Sequence, residues 1–153
     1  MDTRIIAGSD LMAERLQASL ASHGVVCKDH SVRPESVFAG ETSELAGFSG
    51  LLFLRIAHFE NGHIDQVRRL RSMVAPSAKI VVIADGADHG SVLSIVRAGA
   101  SDILNAGDDL DQEIGSFLAR LAQEGHQKKT QGQVLAIVPC QSSSDANLLA
   151  VNI

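Results

Sequence analysis

Cysteine is nearly missing from this 153-residue chain, which holds only Cys27 and Cys140. They stand far apart in unrelated surroundings, a spacing that fits neither a disulfide framework nor a zinc site. Two free thiols in a reducing compartment are the expectation. Tryptophan and tyrosine are absent and aromatics make up only 3%, which removes the platforms on which single-stranded nucleic acids stack. The formal charge is -5, whereas a dedicated nucleic-acid binder carries a basic surplus. No apolar run approaches the ~20 residues of a membrane span. The start, "MDTRIIAGSD", lacks the basic-then-apolar layout of a signal peptide. A cytoplasmic chain with no nucleic-acid partner is expected.

What is present is enough for one core. With 45% hydrophobic residues, the chain can bury a full-sized interior, with room for little more than one domain. Ile5, Ile6 and Ala7 form a short apolar run that stops at Gly8, and Ser9 or Asp10 can then cap a helix. Met12, Leu16 and Leu20 repeat every fourth residue, which puts them on one helical face. Gly24 follows where a left-handed cap is expected. Val25, Val26 and Cys27 predict a second strand, and one short helix is expected around Ser43 to Gly47. "GLLFLRI" and "KIVVIA" are continuous apolar runs of strand length, as in a parallel sheet covered on both faces. Between them Ile64, Val67, Leu70 and Val74 keep helical spacing up to Pro76. Val92, Ile95, Val96 and Gly99 predict a further helix, and "SDILN" a fifth strand. Leu110, Ile114, Phe117, Leu118 and Leu121 make the clearest stripe, with Asp108, Asp109 and Asp111 at the positive end of the helix dipole.

Five alternations of strand and helix by about residue 125 predict a doubly wound, five-stranded parallel sheet in a three-layer α/β domain. Ligands of such sheets bind outside the carboxyl ends of the strands. Those ends are Gly8 with Ser9, Arg55, Ala84 and Ala106.

The phrases "IDQVRRLRSMVAPSAKIVVIADGAD" and "VLSIVRAGASDILNAGDDLDQEI" resemble a bacterial response-regulator receiver domain, with a CheY-like (flavodoxin-like) fold over residues 1–125. The resemblance implies an acidic, magnesium-binding pair after the first strand, a phosphate-accepting aspartate after the third, a hydroxyl after the fourth and a lysine after the fifth. Those positions fall on Gly8 and Ser9 with Asp10 adjacent, on Arg55, on Ala84 and on Ala106. None keeps its role. A guanidinium cannot attack phosphorus, and its fixed charge repels magnesium. Asp10 reads as a salt partner of Arg55 or as a helix cap. Arg55 itself either binds an anionic ligand or neutralises Asp10. No catalysis and no cofactor are expected.

After a polar linker at 126–132 comes "VLAIVPCQSSSDANLLAVNI" at 133–153. It resembles the opening strand, phosphate loop and first helix of a deviant Walker-type ATPase of the MinD/ParA class, the phrase "LLAVNI" above all. The loop departs from that pattern. Gln141 and Ala146 stand at the two lysine positions and Asn147 at the magnesium-binding hydroxyl, and the glycines are replaced, so nucleotide hydrolysis is not expected. The end at Ile153, mid-helix, reads as a fragment of a longer protein.

An atypical receiver joined to a MinD/ParA-like segment resembles the TadZ/CpaE proteins of tight-adherence (Flp) pilus assembly. The resemblance implies polar localisation of a secretion machine, homodimerisation and other pilus-assembly proteins as partners. Candidate contact residues are Arg97, Asp111 and Arg120, around the "DILN" strand and its flanking helices. Two further classes stay open: a receiver activated by a ligand or partner, and the regulatory part of an active ATPase.

Other polar clusters read plainly. Arg68, Arg69 and Arg71 fit a solvated helix face. His58, Glu60, His63 and Asp65 lack tight metal-ligand spacing. "DGADHG" at 85–90 reads as a turn followed by a helix cap. Ser142 to Ser144 have no histidine-containing motif nearby.

Overall fold

The computed structural model of the chain describes residues 2–8, 10–27, 34, 37, 45–57, 59–86 and 88–127. Two compact units divide it, Met1–Leu118 and Ala119–Ile153. The second is described only at residues 119–127, within the last helix.

Four strands are described: β1 (Thr3–Ile6), β2 (Leu51–Ile56), β3 (Lys79–Ala84) and β4 (Asp102–Asn105). They pair in the order β1-β2-β3-β4, every pair parallel. The helices are α1 (Asp10–Ser22), α2 (Asn61–Met73), α3 (His89–Ala98) and α4 (Leu110–Gln127). Strand and helix alternate, as a parallel sheet requires of its crossovers.

β2 and β3 are apolar on both faces because helices cover both. Leu52, Leu54, Ile56, Ile80 and Val82 share one cluster with Val67 and Leu70 of α2 and Ile95 and Ala98 of α3. On the other face Phe53 meets Phe117 of α4 edge-to-face, ring centroids 6.3 Å apart, the favoured aromatic geometry. The predicted stripe of α4 is buried at Leu110, Ile114 and Phe117. In α3 the inward residues are Ile95 and Ala98. Val96, one helical step round from Ile95, faces outward and is 47% exposed.

Val25, Val26 and Cys27 form no strand. The helix end explains this. Gly24, at φ +76, closes α1, and the Val25 amide donates back to Leu20 at 2.9 Å. That amide belongs to the cap, and Val26 is left 72% exposed. β1 pairs with β2 alone among the described residues. Leu45 opens a single tight turn, Phe48 N donating to its carbonyl at 3.1 Å; Ser43 lies outside the described residues.

Three contacts fix the amino-terminal end of the sheet. Leu51 N donates to Asp2 O at 2.9 Å, and a side chain at Gly50 would strike that carbonyl and the Phe48 ring. The Arg4 guanidinium lies 5.3 Å from the Phe48 centroid. Arg71 donates to the carbonyls of Ala75 and of Ala78, the latter at 2.7 Å. Its stem lies against Gly99, where an added Cβ would sit 2.6 Å from Arg71 Cγ. Arg71 is therefore a staple and leaves the solvated face expected for all three arginines.

Candidate functional site

The carboxyl ends of the strands bring together Gly8, Arg55, Ala84 and Ala106. Ile6 pairs with Leu54, Ile56 with Ala84, and Ala84 with Asn105. Ala106 N then donates to Ala84 O at 3.1 Å, which ties the ends of β3 and β4. Gly8 is exposed, with open space where a Cβ would project. Ser9 and the Asp10 side chain lie outside the described residues.

Arg55 dominates this edge. Its side chain is 10% exposed. Nη1 donates to Ile56 O at 2.6 Å and to Ile83 O at 3.2 Å, and Nη2 pairs with the Asp85 carboxylate. Among the described side chains its partner is Asp85; the Asp10 pairing that the sequence suggested falls on a side chain outside the described residues. Register explains the Asp85 pair. Arg55 lies beside Ile83, and Asp85 is two residues further along the neighbouring strand, the step that returns to the same face. A charge-assisted pair with one member this buried is stronger than a surface contact between neutral groups.

The turn after β3 is built for this pair. Gly86 takes φ +55. The Asp88 carboxylate caps α3, accepting from Ser91 N at 3.0 Å and Ser91 Oγ at 2.8 Å. Those hydrogen bonds, the backbone one first, hold the Asp88 carboxyl below its usual value. Within "DGADHG", Asp88 is thus the helix cap that the sequence suggested, and Ala87 lies outside the described residues. On the next strand Asn105 N donates to Glu113 Oε2 at 2.7 Å. Between them lies a cleft of about 240 Å³ lined by Ala84, Gly86, Val92, Ile103, Asn105 and Glu113 among others. Glu113 escapes a sequence reading because its partner is a backbone amide eight residues away.

Asp111, though exposed, is engaged by the end of α1. It accepts from Ser19 Oγ at 2.6 Å and from Ser22 Oγ at 3.3 Å, and His23 Nε2 stands 3.5 Å from its carboxylate. The Ser19 bond, then the His23 charge and the Ser22 bond, hold its carboxyl low. Arg15 donates to Gly107 O at 3.1 Å beside it. The other two contact candidates, Arg97 and Arg120, are exposed. His63 Nδ1 accepts the Glu60 amide at 3.0 Å at the start of α2, a capping role; His58 lies outside the described residues. So do Gln141, Ala146 and Asn147, with the whole linker and tail after residue 127.

Chemically, this edge offers a committed cation and two methyl groups where the receiver resemblance implies a nucleophile, a hydroxyl and an amine. Solved structures share the arrangement of strands and helices. A pilus assembly-related protein from Burkholderia pseudomallei K96243 is 17% identical with a TM-score of 0.66, covering 81% of this chain and 90% of its own. The CheY-like protein TadZ from Pseudomonas aeruginosa PAO1 is 27% identical with a TM-score of 0.53, covering 91% and 98%. The described domain is receiver-like, with the fold of the TadZ/CpaE proteins. A response regulator from Thermotoga maritima has it too, at 18% identity and a TM-score of 0.58, covering 80% and 97%. No family model and no curated protein matches the sequence. No helix among the described residues is long and apolar enough to cross a membrane.

Proposed function

We propose that this chain is a phosphorylation-independent, receiver-like interaction domain of a Flp pilus assembly and polar-localisation protein. It works by protein–protein association and not as an enzyme. The observation that carries the reading is the Arg55 guanidinium, held by two strand-end carbonyls and Asp85 at the acceptor position. It has no lone pair to offer phosphorus and no tolerance for a neighbouring magnesium ion. Its engagement with Asp85 also disfavours an external anion, which would have to displace a carboxylate already in place. The pilus setting is supported by the likeness to TadZ and to the Burkholderia protein.

The association surface is read from exposure. Leu93 and Val96, three positions apart on α3, are 42% and 47% exposed, and Arg97 follows them. The outer edge of β4 pairs with no strand among the described residues; an open edge beside apolar side chains favours pairing with a second copy. Asp111 is tied to α1, so Arg97 meets a different acid across such a contact.

Acetyl phosphate or beryllofluoride with magnesium is expected to change neither the mass nor the amide NMR shifts of the chain. A stoichiometric adduct on any aspartate would falsify the phosphorylation-independent reading. Sedimentation velocity is expected to show a dimer that Leu93→Asp, Arg97→Glu or Arg120→Glu weakens. A wild type that stays monomeric at high micromolar concentration leaves a different protein as the partner.

A further inference from the structure

We propose that Arg55 is a positioning residue, an internal cation that holds Asp85 at the exit of β3 and so fixes how α3 presents Leu93 and Val96. The proposal rests on the reading of that face as the contact surface. The connection is short. Arg55 is clamped on the sheet by the carbonyls of Ile56 and Ile83, and its other nitrogen holds Asp85, the residue after the last of β3. Three residues later Asp88 caps α3 through Ser91. Leu93 and Val96 lie within the next two turns of that helix.

The guanidinium suits this role better than an ammonium. Its donors lie in one rigid plane, so a bond to each strand end leaves the remaining nitrogen a single direction in which to hold a carboxylate. The charge is built into the chain, so the turn needs no bound group to order it. Gly86, at φ +55, lets the backbone fold back within the few residues available. In receivers that this chain resembles, a phosphate governs this end of the sheet. Here a side chain governs it at all times, and the face beyond is presented constitutively.

Hydrogen exchange read by mass spectrometry tests this on the full chain, with Arg55→Met and Asp85→Asn as separate variants. Each is expected to speed exchange in peptides spanning 85–95 by about tenfold, the worth of one charge-assisted hydrogen bond. Peptides from β1 and α1 should keep their wild-type rates. The same variants are expected to weaken self-association by a similar factor without a matching fall in melting temperature. Unchanged exchange over 85–95 in both variants overturns the proposal, as does an acceleration spread evenly along the chain in Asp85→Asn. Local acceleration with unaltered association in a dimeric wild type also overturns it, because the turn would then not govern the face. A monomeric wild type is a different result: it removes the contact reading, while the exchange data still decide whether Arg55 holds the turn.

Discussion

Arg55 and Arg71 sit at opposite ends of the sheet and are used in nearly the same way. Each crosses to backbone carbonyls that close a strand or a helix. Arg71 joins the end of α2 to the start of β3 and lies on Gly99, with neutral acceptors only. Arg55 adds a carboxylate, Asp85, and holds the turn on which α3 begins. The difference teaches that a buried arginine at a ligand-binding edge is not in itself a ligand site. What sets Arg55 apart is the carboxylate it holds just ahead of a helix start, whereas Arg71 ties down parts that are already packed.

The largest expected effect tests the Arg71 end. Gly99→Ala combines a backbone held at φ +114 with a Cβ placed 2.6 Å from the Arg71 stem, and is expected to cost about 2–3 kcal/mol in urea denaturation. In the double variant with Arg71→Ala the crowding goes and the backbone cost stays, so the two changes should be less than additive. Full additivity would show that Arg71 does not press on Gly99.

A smaller effect separates the two arginines by salt. Arg71→Met is expected to cost about 1–2 kcal/mol, equally at low and high ionic strength, because its acceptors are uncharged. The cost of Arg55→Met should shrink as salt rises, because Asp85 is half exposed and its attraction is screened. Denaturation midpoints at two salt concentrations check both; identical salt responses would erase the distinction.

The smallest effect concerns Asp111, whose folded value is lowered by Ser19 and His23. A depressed carboxyl contributes stability that is present above its unfolded value and is lost as pH falls through the folded one. The loss therefore begins below about pH 4. Asp111→Asn is expected to flatten this acid limb in pH-dependent denaturation. An unaltered limb would assign the loss to Asp88 and other carboxyls.

Much of the fold was legible because the apolar runs of β2 and β3 and the stripes of α2 and α4 are periodic and long. Gly24 and Gly99 announce helix ends through backbone chemistry alone, and both take positive φ. Val25 to Cys27 misled because β-branched residues favour a strand only when an amide is free to pair, and Val25 spends its own on the cap. Val96 looked inward because the period of 3.6 leaves neighbouring apolar residues on either side of a narrow face. The candidate site was half legible. Arg55, Ala84 and Ala106 could be placed by strand endings, whereas Asp85 as partner needed the register between β2 and β3. Asp111 read as a helix-dipole acid and a contact candidate, and only the approach of α1 and α4 shows three side chains meeting it.

The parallel pairing has a consequence for how the chain is made. β1 is joined to β2 across 48 residues, Thr3 to Leu51, whereas β2 meets β3 across 28 and β3 meets β4 across 21. Closing the longer loop costs only about 0.5 kcal/mol more than closing the 28-residue one. Time differs more than energy. At synthesis rates of roughly 5–20 residues per second, β1 waits about 2–10 s after it is made before its partner strand exists. Through that interval Ile5 and Ile6 lack the strand they pair with, and α1, a helix of 13 residues, is marginal without a sheet to pack on. Of the four described strands, the first to be made is therefore the one longest exposed to wrong partners.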